Sequence, residues 1–285
     1  MVALEQHHPI VDWILYPRVE DLKRLLLSEE LQRTQFPEHD QEFVIAVIGD
    51  STSNGVGVRV GQRYVDILEK KLNKIRPTRI YNFSQPGDNI VDHFVKFELS
   101  EKYLKPDLVI FALYYNDLMD LDGSRYLSNQ DKLNELSVNC LPLFSEAKSS
   151  TQQLDEKEFL EAYVLPTYQE DYGNLCVYRS FLEKVEKSNT AVLYFNMAPS
   201  EDRESQDPLM VESQKIVNKT AYILEEEIEK TSDTHMFRVP DFLTHYSVVS
   251  EKELHHSSKT HEYVAEQLYT FLLNEDGGTF HFLTD

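Results

Sequence analysis

The sequence has little positive charge, almost no cysteine and no long apolar run. It holds 28 lysine and arginine residues against 49 aspartate and glutamate residues, which gives a formal net charge of -21. An acidic surface of this strength argues against nucleic acid or an anionic membrane as the main partner. No apolar stretch approaches the roughly 20 residues that a membrane-spanning helix requires, so we expect no transmembrane segment.

The chain contains two cysteines, Cys140 and Cys176, with no CxxC motif and no histidine cluster at zinc-ligand spacing. This usage is typical of two reduced thiols in a cytoplasmic protein, and a disulfide between them is an alternative that nothing in the sequence requires. We predict no metal site. The first residues, MVALEQHHPIVDW, lack a basic segment followed by an apolar one. We therefore expect no signal peptide and a cytoplasmic location.

Short apolar runs alternate with stretches of helical periodicity. Five runs are predicted as strands: Phe43–Ile48, Arg79–Phe83, Pro106–Leu113, Ala191–Asn196 and Met236–Val239. Helices are predicted over Gln62–Lys74, Ile90–Leu99, Leu175–Lys187, Leu209–Glu229 and Lys259–Leu273. This alternation favours an α/β fold, with a doubly wound, mostly parallel five-stranded sheet and helices on both faces. Such a three-layer sandwich is of the flavodoxin-like type.

With 285 residues and a hydrophobic content of 41%, the chain is long enough for one large α/β domain. We predict an N-terminal helical extension over residues 1–40, a single domain over residues 41–275 and a C-terminal tail over residues 276–285. Residues 120–175 are less regular. We interpret them as an insertion above the sheet edge that could shape a substrate pocket.

Ser51 lies at the end of the first predicted strand, in the stretch FVIAVIGDSTSNGVG over Phe43–Gly57. The apolar run stops at Gly49-Asp50-Ser51. A tight turn at the end of a parallel strand is where an α/β protein presents a nucleophilic serine, because ligands bind at that edge of the sheet. Taken alone, Ser51 could also be a turn serine that caps the next helix.

Polar residues also follow the other strands. Gly87 lies in a turn after the second strand, Asn116 and Asp117 follow the third, and a Glu-Leu-His-His segment follows the fifth. Acyl transfer needs this combination of a nucleophile, a base, an orienting carboxylate and oxyanion donors. Each feature has a simpler interpretation, such as a type II turn at Gly87 or a strand-end turn at Asn116. The spacing of Asp88, Asp117 and Asp120 matches no metal-binding loop.

Taken together, these blocks resemble the SGNH/GDSL hydrolase family. The matching segments are IGDSTSNGVGV, NFSQPGDN, YLKPDLVIF leading to Tyr114-Tyr115-Asn116-Asp117, and Glu253-Leu254-His255-His256 before a helix. They occur in the family's order between about Phe43 and Leu273. The resemblance implies a serine esterase or acylhydrolase that needs no cofactor and acts on a small-molecule or glycan ester.

The resemblance also implies a role for each matching residue. Ser51 would be the nucleophile, and its backbone N–H would be one oxyanion donor. The backbone N–H of Gly87 and the side-chain amide of Asn116 would be the second and third donors. A histidine would take the proton of Ser51. An acyltransferase could use the same residues, and a catalytically weak member could act as a binding module.

The chain departs from the family pattern at two positions. Tyr114 stands where the third block normally has glycine, and Glu253 replaces the usual aspartate. The base is either His255 or His256. Counting five and ten residues onward from His255 reaches Thr260 and Ala265, which agree with the small residues of the family's last helix. The same count from His256 agrees poorly, so we favour His255, which leaves the orienting role of Glu253 open.

Overall fold

A computed structural model describes residues 42–114, 116–118, 173–197, 222–231, 235–240, 245, 247–250 and 253–273. The predicted N-terminal extension, nearly all of the predicted insertion and the predicted C-terminal tail lie outside these residues.

The described part of the chain is built around a five-stranded parallel sheet. Its strands are β1 (Phe43–Gly49), β2 (Thr78–Asn82), β3 (Leu108–Leu113), β4 (Ala191–Asn196) and β5 (His235–Arg238). The spatial order is β2-β1-β3-β4-β5, and every neighbouring pair is parallel. Each strand begins and ends within two residues of its predicted bounds, so the predicted α/β fold is confirmed. The strand order reverses beside β1, and ligands of such sheets bind in the crevice that this reversal opens.

Helices cover both faces of the sheet, as predicted. They are α1 (Ser51–Asn54), α2 (Tyr64–Leu72), α3 (Ile90–Leu99), α4 (Gly173–Glu186) and α5 (Ser258–Leu273). A π-helical turn, Ser100–Leu104, extends α3, and residues 222–229 are helical. No helix in the described part of the chain has both the length and the apolar character that crossing a membrane requires.

Alternating side chains of β1 build two halves of the core. Val44, Ala46 and Ile48 pack with buried aromatic residues of α3 and α4, including Phe94 and Phe181. The other set packs with α2 and α5 and consists of Phe43, Ile45 and Val47. All seven residues of β1 are buried, because the strand is central and covered on both faces. β1 is therefore a rigid support for the residues that follow it.

A short antiparallel hairpin precedes α5 and was not predicted. Its strands are β6 (Val248–Ser250) and β7 (Glu253–His256), and Val248 pairs with His256. Strands of three or four residues are too short to show a clear alternation of apolar and polar side chains. The hairpin matters because it carries both candidate histidines.

Cys176 lies on α4 and is disulfide-bonded. The expectation of reduced thiols is therefore wrong for this residue, and Cys140 lies outside the described residues. The positions of two cysteines along a chain do not reveal whether the fold brings a thiol within bonding distance of another.

Candidate active site

Ser51 is the first residue of α1, directly beyond the end of β1. The helix is capped by Asp50, whose Oδ1 accepts a hydrogen bond from the backbone N–H of Thr52 at 2.8 Å. Ser51 is therefore not the capping residue. Its hydroxyl lies 3.5 Å from Oδ2 of Asp50, and the residue is half-buried. The short helix thus presents Ser51 at the carboxyl edge of the sheet.

Close packing fixes the position of α1 on the sheet. A Cβ atom at Gly49 would lie 2.8 Å from Oγ of Ser53 and 2.9 Å from the carbonyl oxygen of Ala112, so this position requires glycine. The hydroxyl of Tyr64 donates to Oγ of Ser53 at 2.9 Å. These contacts leave α1, and with it Ser51, little freedom to shift.

Gly87 lies in a type II turn formed by residues 85–88. The N–H of Asp88 donates to the carbonyl oxygen of Gln85 at 3.2 Å, and Gly87 has a φ of 82°. Pro86 fixes a negative φ at the preceding position, and only a type II turn combines that with a positive φ at the next residue. The type II turn predicted from the sequence is thus present. The role of the Gly87 N–H as an oxyanion donor stays a prediction.

Hydrogen bonds join the chain after β2 to α1. The side-chain amide of Asn54 donates to the backbone carbonyl oxygen of Ser84 at 3.0 Å. The side-chain amide of Asn82 donates to the backbone carbonyl oxygen of Ser53 at 2.9 Å. The side-chain Oδ1 of Asn82 in turn accepts a hydrogen bond from the backbone N–H of Ser84 at 3.1 Å. The turn that carries Gly87 is therefore anchored beside the helix that carries Ser51.

Asn116 reaches the same place from the end of β3. Its side chain hydrogen-bonds the carboxylate of Asp50. The Oδ1 atom of Asn116 is buried and has no hydrogen-bond partner among the described residues, so the amide nitrogen is the donor to Asp50. Asn116 and Ser51 thus both adjoin Asp50, at the switch point of the sheet.

The two candidate histidines differ in environment, although they are adjacent on β7. This strand contacts α1, and successive side chains of a strand point to opposite faces. His255 is half-buried, and its charge opposes the rise that burial causes in the pKa of Asp50. His256 is 1% exposed, and burial lowers its pKa to about 3. A base with so low a pKa is weak at neutral pH.

Thr260 and Ala265, the residues reached by counting five and ten positions from His255, are both fully buried on α5. Thr260 also accepts a hydrogen bond from the N–H of Ser247 at 2.8 Å, which joins α5 to the hairpin. Glu253 belongs to β7, but its side chain lies outside the described part, and its orienting role stays a prediction.

Three buried carboxyl groups lie behind Ser51. Burial raises the pKa of Asp50, although hydrogen bonds from Thr52 and Asn116 oppose this. Burial and the charge of Asp50 raise the pKa of Asp117, whose Oδ2 accepts the N–H of Tyr114 at 2.7 Å. The third group is Asp88, with a pKa raised by burial to about 7. Within the described residues, no three acidic, histidine or cysteine side chains are arranged to hold a metal ion.

Tyr114 adopts an ordinary backbone conformation in place of the family glycine. Among the described residues other than glycine, only Lys105 has a positive φ. The path of the loop after β3 therefore does not depend on glycine at position 114. The tyrosine side chain packs against both halves of the core and meets the ring of His256.

Three residues around the candidate site have no role in the sequence-based predictions, namely Asp50, Asp88 and Lys96. The sequence of α3 holds no signal for Lys96. Asp92, His93 and Lys96 fall on one side of this helix, a pattern that by itself favours a face exposed to solvent. The structure instead buries all three side chains.

The chain is similar to several solved structures. The TesA crystal structure is 20% identical, covers 81% of this chain and 98% of that one, and has a TM-score of 0.45. The acetylxylan esterase Axe2 from Geobacillus stearothermophilus is 15% identical, covers 81% of this chain and 93% of that one, and has a TM-score of 0.47. The esterase EstA from Pseudoalteromonas sp. is 14% identical, covers 80% of this chain and 95% of that one, and has a TM-score of 0.45. None of the curated proteins matches the sequence. The family model described as GDSL-like Lipase/Acylhydrolase matches residues 45–268, which is most of the chain.

Proposed function

Because the chain belongs to the GDSL-like lipase/acylhydrolase family, we propose that it is a serine esterase that hydrolyses carboxylic esters through an acyl intermediate on Ser51. One observation carries this proposal. Asp50, and not Ser51, caps α1, and the half-buried Ser51 hydroxyl lies beside Asp50 at the sheet edge where the Gly87 turn, Asn116 and β7 meet. This is the arrangement of parts that acyl transfer requires.

In the proposed reaction, His255 takes the proton of the Ser51 hydroxyl as its oxygen attacks the ester carbonyl carbon. The carbonyl oxygen becomes negatively charged and accepts hydrogen bonds from the N–H groups of Ser51 and Gly87 and from the Asn116 amide. The intermediate then expels the alcohol, which receives the proton from His255. Water repeats the sequence on the acyl group, releasing the acid and restoring Ser51.

His255 suits the role of the base better than His256. Histidine works as a base near pH 7 when its pKa stays close to its ordinary value of about 6.5. Burial removes His256 from that range, because its pKa is lowered to about 3. His255 is half-buried and lies near enough to Asp50 for the two side chains to interact electrostatically.

Small-molecule or glycan esters, acetyl esters among them, are the proposed substrates. An acyltransferase, in which an alcohol replaces water, would use the same residues. The Tyr114 and Glu253 departures motivate a third hypothesis, a weakly active binding module.

The disulfide at Cys176 is typical of oxidising compartments and argues against the predicted cytoplasmic location.

Hydrolysis of p-nitrophenyl esters of increasing acyl length tests this proposal. The wild type should release p-nitrophenol, and Ser51→Ala should reduce kcat at least about 10³-fold. Added alcohols should not divert the acyl group if the protein is a hydrolase, whereas ester products would indicate the transferase. A folded wild type that hydrolyses none of these esters would contradict the esterase assignment.

A further inference from the structure

A buried ion pair lies beneath the turn that carries Gly87. It joins Asp88, at the last position of the turn, to Lys96 on α3, and the two side chains are 2% and 3% exposed. Lysine is almost never fully buried unless it is paired. Buried ion pairs are also weak evidence for stability, because the cost of removing both charges from water can exceed their attraction. The pair therefore calls for a role other than stability.

The pair acts directly on the turn. Oδ2 of Asp88 accepts a hydrogen bond from the N–H of Gln85 at 2.7 Å and a second one from Nζ of Lys96. The N–H of Asp88 donates to the carbonyl oxygen of Gln85. Asp88 thus makes two hydrogen bonds across the turn to Gln85, one through its carboxylate and one through its backbone N–H. Lys96 holds the carboxylate in place for the first of these.

The type of this turn determines the direction of the Gly87 N–H. Type I and type II turns differ by a rotation of roughly 180° of the central peptide, which here joins Pro86 to Gly87. That peptide contains the Gly87 N–H, so the two turn types point this donor in opposite directions. An oxyanion donor stabilises the transition state only when it already points at the developing charge.

We propose that Lys96 is a positioning residue for the Gly87 oxyanion donor, acting through Asp88. The inference rests on the proposed esterase function and extends it to a residue that does not touch the substrate. Lys96 fixes the Asp88 carboxylate, the carboxylate fixes the N–H of Gln85, and the doubly closed turn keeps the Gly87 N–H directed at the oxyanion.

Three variants test this role. Lys96→Met removes the charge and leaves Asp88 buried without its cation. The double variant Asp88→Leu/Lys96→Met replaces the ion pair by apolar side chains, a change that is often neutral or stabilising, but it removes the acceptor for Gln85. Lys96→Arg restores a cation. Lys102→Met, at an exposed lysine just beyond α3, is the matched control.

The measurements are kcat and KM for a short p-nitrophenyl ester, thermal midpoints, and the Ki of an alkylboronic acid, which forms a tetrahedral adduct on the serine. We expect Lys96→Met and the double variant to lose about 10²-fold in kcat with KM nearly unchanged. Boronate affinity should fall in parallel. Lys96→Arg should recover most of kcat, and Lys102→Met should match the wild type.

The double variant decides the matter because its thermal midpoint should stay near that of the wild type. If it is folded and has wild-type kcat, the ion pair is structural only and the inference is wrong. A change confined to KM would also overturn it. A wild type without esterase activity and without boronate binding would instead overturn the proposed function, and with it this extension.

Discussion

The rings of Tyr114 and His256 meet edge to face, with centroids 6.1 Å apart and planes at 85°. Tyr114 stands where the family motif has glycine, and His256 is one of the two candidate bases. The contact places His256 in the packed wall behind the site, where the ring of His261 also lies 6.1 Å from it. The neighbouring His255, whose side chain points to the opposite face of β7, is the proposed base.

The two histidines should therefore respond differently to substitution. His255→Ala should reduce kcat by about 10²–10⁴-fold, because it removes the proposed base, and should leave the thermal midpoint nearly unchanged. His256→Ala should lower the thermal midpoint, since it opens a cavity beside Tyr114, and should affect kcat less. Steady-state kinetics and thermal unfolding of both variants give this comparison.

His245→Ala is the control for these histidine variants, because His245 is exposed and stacks on Tyr263 at 3.8 Å between ring centroids. A folded His256→Ala protein that is inactive, together with an active His255→Ala protein, would reverse the assignment of the base.

Substitution of Gly87 should have two effects, a loss of stability from its positive φ and a loss of activity from the proposed oxyanion donor. Gly61 serves as the control that shows the first effect alone. Both glycines have positive φ, 82° and 86°. Gly61 is exposed, and a Cβ atom there would have no neighbour within 4 Å. Alanine should destabilise the fold by about 1–2 kcal/mol at either position, because the left-handed conformation disfavours a Cβ atom.

Only Gly87→Ala should also reduce kcat, since it crowds or turns the proposed oxyanion donor. Urea unfolding and ester hydrolysis of the two variants measure both quantities. Equal kcat values for Gly87→Ala and Gly61→Ala would remove Gly87 from the proposed oxyanion site.

His93 should make the protein less stable in acid. It is fully buried on α3, and burial together with the charge of Lys96 lowers its pKa to about 3. Between that value and pH 6.5 the unfolded chain binds a proton that the folded protein does not bind. Stability due to His93 is therefore complete above pH 6.5 and is lost as the pH falls toward 3.

His93→Gln removes this dependence. When the pH is lowered from 7 to 5, the free energy of unfolding of the wild type should fall by about 2 kcal/mol more than that of the variant. The raised pKa of Asp88 acts in the opposite direction, but Asp88 is present in both proteins and cancels from the difference. Urea titrations at the two pH values measure the effect, and parallel curves would show that His93 is protonated when folded.

The sheet and its edge were predictable because each strand is a short apolar run that ends in polar residues. β1 carries this signal most clearly, since it is buried on both faces and stops at Gly49 and Asp50. Parallel strands bring such ends together whatever their separation in sequence. This is why Ser51, Gly87 and Asn116 could be grouped without a structure.

Features that depend on packing at short range were not predictable. Both Asp50 and Ser51 are good capping residues, and only the backbone geometry shows that Asp50 accepts from Thr52. The alternation of β7 is too short to show which histidine is buried. Likewise, no sequence pattern shows that Cys176 is disulfide-bonded, since bond formation depends on whether the fold brings two thiols within reach.

Intact-mass analysis after treatment with a fluorophosphonate tests the central claim, that Ser51 is an activated nucleophile. The wild type and Ser53→Ala should each gain one adduct, because Ser53 is buried against Tyr64 and takes no part in the reaction. Ser51→Ala should gain none, and His255→Ala should react much more slowly. An unlabelled, folded wild type, or an adduct that persists in Ser51→Ala, would contradict the account.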